Sequence, residues 1–70
     1  MELKNKKADV AELQITLAEL LILNNALNEV CNGLDQFEFD TRMGASHDEV
    51  SQLLSKVGSI IDTIETNSGI

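Results

Sequence analysis

The chain has 70 residues, 43% of them apolar, with one cysteine, one histidine, no proline and a net charge of −7. A chain this short buries only about 60% of its unfolded surface and is marginal without support, yet one cysteine excludes an intrachain disulfide and cannot form a structural zinc site with one histidine. Phe37 and Phe39 are the only aromatic residues, which disfavours a β-sandwich or barrel, and a nucleophile, base and substrate pocket normally need a longer chain.

The chain starts with a basic stretch. Lys4, Lys6 and Lys7 against Glu2 leave residues 1–7 at +2, and eleven acids against Arg42 and Lys56 leave residues 8–70 at −9. An acidic body of this kind repels phosphate backbones and anionic membranes. No secretory leader is expected, because the lysines run into Ala8-Asp9-Val10-Ala11-Glu12 and not into an apolar segment. The apolar stretch from Ile15 to Leu23 is too short to span a bilayer. A cytoplasmic setting is expected from the unpaired thiol.

A first helix is predicted over about 8–32. Val10, Leu13, Leu17, Leu20, Asn24, Leu27, Cys31 and Leu34 follow at alternating spacings of three and four, the a/d stripe of a heptad repeat. Asp9-Val10-Ala11-Glu12 has the form of an N-terminal cap, and Asn32-Gly33 supplies a stop through the left-handed conformation open to glycine. A second apolar row of Ala11, Ile15, Ala18 and Ile22, widened by Leu21 and Leu23, leaves only Glu12, Thr16 and Glu19 as a polar strip. A helix apolar over most of its circumference needs cover from more than one side.

Residues of about 33–45 read as an ordered loop, longer than usual for a helix–helix connection. Phe37, Phe39, Thr41 and Met43 alternate with Glu38, Asp40 and Arg42. At period two this places the phenylalanines on one side, where both would plug the end of a bundle.

A second helix is predicted over about 46–66. Ser46-His47-Asp48-Glu49 is a capping box, and its acids suit the positive end of a helix dipole. Val50, Leu53, Leu54, Val57, Ile60, Ile61 and Ile64 form the apolar stripe, which ends at Asn67-Ser68-Gly69. Gly58 beside that stripe either allows a close helix approach or faces solvent.

These elements predict an all-α fold in one domain. It is an antiparallel helix–loop–helix hairpin that assembles as a homodimer into a four-helix bundle. Val10, Leu13, Leu17, Leu20, Asn24 and Leu27 would carry self-association, with Asn24 setting register in an apolar seam or bonding the loop.

The candidate binding patch is Asn25, Asn28, Glu29, Asn32, Phe37, Phe39 and Arg42. Asn25, Asn28, Glu29 and Asn32 share one face of the first predicted helix, and Arg42 offers a five-donor fork. They either form a polar pocket, or Glu29 pairs with Arg42 while the asparagines pin the loop. The acids Asp35, Glu38, Asp40, Asp48 and Glu49 match no cation-binding spacing and read as a solvated rim. Cys31 and His47 lack a recognisable orienting group or oxyanion loop, and no nucleotide fingerprint is present. No catalytic residue, metal or cofactor is therefore expected.

The functional expectation is a non-enzymatic protein that binds another protein, of the inhibitor, immunity, anti-defence or adaptor kind. Its acidity complements a basic partner. The alternative is a small-molecule binder with the polar pocket as its site.

Overall fold

In the computed structural model, which describes residues 1–68, the chain is an α+β mixture, not the all-α hairpin expected. Two strands, β1 (Glu2–Lys7) and β2 (Val10–Gln14), precede three helices: α1 (Leu17–Gly33), α2 (Gln36–Met43) and α3 (His47–Ser68). The predicted stop at Asn67-Ser68-Gly69 is corrected in part, since α3 runs on through Asn67 and Ser68, and Gly69 lies outside the described residues.

The largest correction concerns residues 2–14, which form an antiparallel β-hairpin and not the first turns of a helix. Lys7 pairs with Val10 across a two-residue turn of Ala8 and Asp9, and Ala8 takes a φ of 53°. That left-handed conformation strains a residue with a Cβ, but it matches the strand twist at a tight hairpin turn. Asn5 pairs with Glu12 and Leu3 with Leu13, which leaves Lys4 as the extra residue of a β-bulge. Val10 and Leu13 are therefore strand residues. Their three-residue spacing is a single interval, which both a helix and a strand can contain.

The helix begins where the backbone donors find partners. Thr16 is the N-cap of α1, its Oγ1 accepting from the Glu19 N–H at 3.1 Å while a Glu19 carboxylate oxygen accepts from the Thr16 N–H at 3.0 Å. This reciprocal box satisfies two donors that a helix start leaves open. From Leu17 onward the predicted stripe holds: Leu20 is buried, and Leu17, Asn24, Leu27, Cys31 and Leu34 are half-buried.

The expected loop is also corrected. Asp35 caps α2 by accepting from the Phe37 N–H at 3.1 Å, and Gly44 closes it at φ 69° with its N–H on the Asp40 carbonyl. The left-handed glycine is thus Gly44. Gly33, expected in that role, ends α1 with negative φ, and Leu34 is the C-cap in extended conformation. On a helix, Phe37 and Phe39 point to nearly opposite sides. Phe39 is 1% exposed and Phe37 is 96% exposed.

α3 starts at the predicted box, with the Glu49 N–H on Ser46 Oγ at 3.1 Å and the Ser46 N–H on a Glu49 oxygen at 3.0 Å. It packs antiparallel to α1, Cys31 lying beside Ser51 and Asn24 beside Gly58. Leu20, Val57 and Ile61 form the core, with Ile15, Leu17, Leu27 and Ile64 packed on it. A Cβ at Gly58 would sit 4.0 Å from Asn24 Oδ1, so the glycine does face α1, with room to spare.

The predicted four-helix bundle is replaced by pairing within one chain: α1 on α3, with α2 against α3. The molecule measures 43 × 32 × 16 Å.

Candidate functional site

Two neighbourhoods bear on function: a polar knot where α1 ends and α3 begins, and an exposed surface on α1 and α2. The knot is built from the first two turns of α3. His47 and Ser51 lie four residues apart and share a face, which the antiparallel register brings to Cys31. His47 Nε2 donates to the Cys31 carbonyl at 3.0 Å, one of the acceptors that a helix C-terminus leaves open. In that tautomer Nδ1 is free to accept, and Ser51 Oγ stands 3.3 Å from it. The serine has one hydrogen to give, so the thiol, 3.8 Å away, donates to Ser51 Oγ. Phe39 lies against the imidazole with ring centroids 5.0 Å apart.

This circuit contains a thiol, a hydroxyl and an imidazole, the side chains of nucleophilic catalysis. Its wiring serves another purpose. Both ring nitrogens are engaged, one of them holding a backbone carbonyl, and the thiol's contact is to Ser51 and not to the ring. The knot ties the end of α1 to the start of α3 under the Phe39 lid. Among the described residues, no group of three or more His, Cys, Asp or Glu side chains could hold a metal ion.

The predicted patch divides. Asn25, Asn28, Glu29 and Asn32 are exposed on α1, and Phe37 and Arg42 are exposed on α2. Phe39 belongs to the interior. Asn32 Nδ2 donates to the Asn28 carbonyl at 2.9 Å and to Asn28 Oδ1 at 3.1 Å, so these two amides bond within their own helix. Arg42 Nε donates to Glu38 at 3.1 Å, one turn away on α2, and not to Glu29. An exposed pair of this kind adds little stability.

The self-association set divides as well. Leu20 is in the core, Leu17, Asn24 and Leu27 are half-buried at the α1–α3 contact, and Val10 and Leu13 are exposed on β2.

Sequence reasoning anticipated an excess of apolar surface on the first helix but not where the exposed residues lie. Among the described residues, five large apolar side chains are buried: Leu20, Phe39, Val50, Val57 and Ile61. Twice that number are exposed, including Leu21, Ile22 and Leu23 on α1, Phe37 on α2, and Leu53 and Ile60 on α3. Leu53 and Ile60 are seven residues apart and line one flank of α3. The register set by Asn24–Gly58 and Cys31–Ser51 places Leu23 level with Ile60 and Val30 level with Leu53. At 3.6 residues per turn, these four fall on the same side of the helix pair, away from His47 and Ser51. The signal was in Leu21, Ile22 and Leu23 of α1, which lie beside the buried stripe and stay exposed.

Electrostatics concentrate at the helix starts. The Met1 ammonium hydrogen-bonds Glu19, and with the Thr16 N–H it holds that carboxyl below its ordinary value of 4.5. The Ser46 N–H and hydroxyl do the same for Glu49. An open hollow of about 350 Å³ lies at the hairpin tip, lined by Lys6, Lys7, Asp9 and Val10 among others. All of these are exposed ribbon residues, and none is held in a fixed polar geometry.

Among the described residues, no helix is long and apolar enough to cross a membrane. Comparison with protein-family models, with curated proteins and with solved structures yields no match.

Proposed function

We propose that this chain is a non-enzymatic, cytoplasmic binding protein that acts by docking onto another protein, as a small inhibitor or adaptor does. The observation that carries this reading is the balance of its large apolar side chains, of which more are exposed than buried. Isolated apolar residues are ordinary on any surface, but a flank that carries exposed Leu23, Leu53 and Ile60 with half-buried Val30 is a surface made to be covered.

Phe37 is the anchor. Aromatic side chains dominate interface energetics when they enter a partner's pocket, and Phe37 stands clear of its own chain at the first turn of α2. Glu29, Glu38 and Asp40, exposed on α1 and α2, favour a partner with a basic rim. Catalysis is not part of this reading, because the Cys31–Ser51–His47 circuit is engaged in tying two helices together.

The test is capture with the wild-type chain and with Phe37→Ala from the cells that make the protein, alongside thermal melting of both. A partner that wild type retains and Phe37→Ala loses, at unchanged melting temperature, supports the reading. Capture of the same proteins at the same yield by both chains, or of none by either, overturns it.

A further inference from the structure

The β-hairpin is the part of the molecule least able to stand alone. Every residue of both strands is exposed, and the hairpin packs on none of the three helices. A lone two-stranded ribbon is marginal in water, and a third strand or a helix against its apolar face is what secures it. The more apolar face carries Leu3, Ala11 and Leu13, with Lys6 opposite Ala11, on one side of the ribbon by the pairs Leu3–Leu13 and Lys6–Ala11.

The two edges differ. β1 carries Lys4, Lys6 and Lys7 and the bulge at Lys4, the devices by which proteins keep an edge strand from pairing. β2 has neither: Val10-Ala11-Glu12-Leu13-Gln14 is free of bulges, lysine and proline. The flanking pair Lys7–Val10 is hydrogen-bonded across a two-residue turn, so Ala11 turns its N–H and C=O outward from β1.

From this asymmetry we infer that β2 is a self-pairing edge, and that its occupant is β2 of a second copy of this chain. Charge favours a copy at this place. Residues 1–14 contain three lysines against Glu2, Asp9 and Glu12 and are neutral, whereas residues 15–70 carry the whole net charge of −7. The hairpin is where two copies meet with the least like charge, a single Glu12 from each β2.

Two-fold pairing also closes on itself. β2 takes β2 of the copy, and the guarded β1 edges face outward, so the sheet stops at four strands and does not run on as a filament.

The register follows from Glu12. Centring the antiparallel pair on Glu12 sets two carboxylates face to face, which is unfavourable in a cross-strand pair. Centring it on Leu13 sets each Glu12 opposite the copy's Gln14 and each Leu13 opposite the copy's Leu13. The same face then carries an unbroken row, Leu3 and Leu13 of one copy followed by Leu13 and Leu3 of the other. The dimer expected from the heptad stripe thus shifts from the helices to the strands.

Sedimentation equilibrium of the full chain over a concentration series tests this. It is run with Ala11→Pro, which removes an outward N–H, and with Leu13→Lys, which charges the centre of the row. A wild-type mass of twice 7.7 kDa, falling to the single-chain mass in both variants with the helical circular dichroism retained, is the expected result. A wild-type monomer at every concentration overturns the inference, as does a dimer that both variants preserve. Neither outcome bears on Phe37, whose capture test is read separately.

Discussion

The hairpin and the helical unit contrast in how they are held. From Thr16 onward each helix start has a side-chain cap, the α1–α3 contact has a core, and the ends of those helices are tied by the His47 knot. Residues 2–14 have backbone pairing and one strained turn residue, with no side chain buried. The difference teaches that a short chain can contain one segment that folds on its own contacts and another whose contacts must come from elsewhere.

The sharpest way to break that comparison is a matched pair of leucines. Leu20 is 4% exposed in the core and Leu13 is 48% exposed on β2. Leu20→Ala removes a packed side chain and is expected to cost about 2–5 kcal/mol, enough to unfold much of the population of a domain this small. Leu13→Ala is expected to leave the urea midpoint of the helical signal within about 0.5 kcal/mol of wild type under monomeric conditions. Equal losses from both would mean that the hairpin and helices share one core.

A smaller effect is expected at the knot. His47→Ala leaves the Cys31 carbonyl and the Ser51 hydroxyl without their partner and uncovers one side of Phe39. The loss of a part-buried hydrogen-bonded group is about 1–3 kcal/mol, to be read from urea unfolding by far-ultraviolet circular dichroism. A loss within experimental error would remove the knot from the account of helix stability.

The smallest effect belongs to the caps. Glu19 and Glu49 both have folded values below 4.5, so the stability they lend is present above that value and is lost as pH falls through the depressed folded values. Wild type is therefore expected to lose melting temperature between about pH 6 and about pH 3, and a Glu19→Gln, Glu49→Gln double variant to lose less over the same range. Identical acid limbs would contradict the capping roles.

What the sequence made legible tracks the same division. α3 was readable from its start to about Thr66, because Ser46-x-x-Glu49 and a seven-residue apolar stripe both point to one element. α1 was readable from Leu17 on, but its start was misplaced. The heptad spacing runs unbroken through Val10 and Leu13, and it concealed a second capping box, Thr16-x-x-Glu19, standing in plain view. α2 was missed because Phe37, Phe39, Thr41 and Met43 fit period two. Asp35 and Gly44, a cap at each end, were the local signals against it.

Within the candidate site, the grouping of Asn28 with Asn32 could be read from helical spacing. The partner of Arg42 was misassigned, since Glu38 at one turn's distance competes better than Glu29 on another helix. His47 and Ser51 share a face by spacing alone, but their meeting with Cys31 depends on how α1 and α3 slide past each other, which no local pattern encodes. The exposure of Phe37 follows from the same missed helix.

The central claim, that the helices are secured within the chain and the hairpin from outside it, is tested most directly by native-state hydrogen exchange at low and at high protein concentration. The account predicts that amides in the middle of α1 and α3 are protected at both, whereas those of β1 and β2 exchange fast when dilute and slow when the chain is concentrated. Hairpin amides as protected as those of α3 in the dilute protein would contradict it.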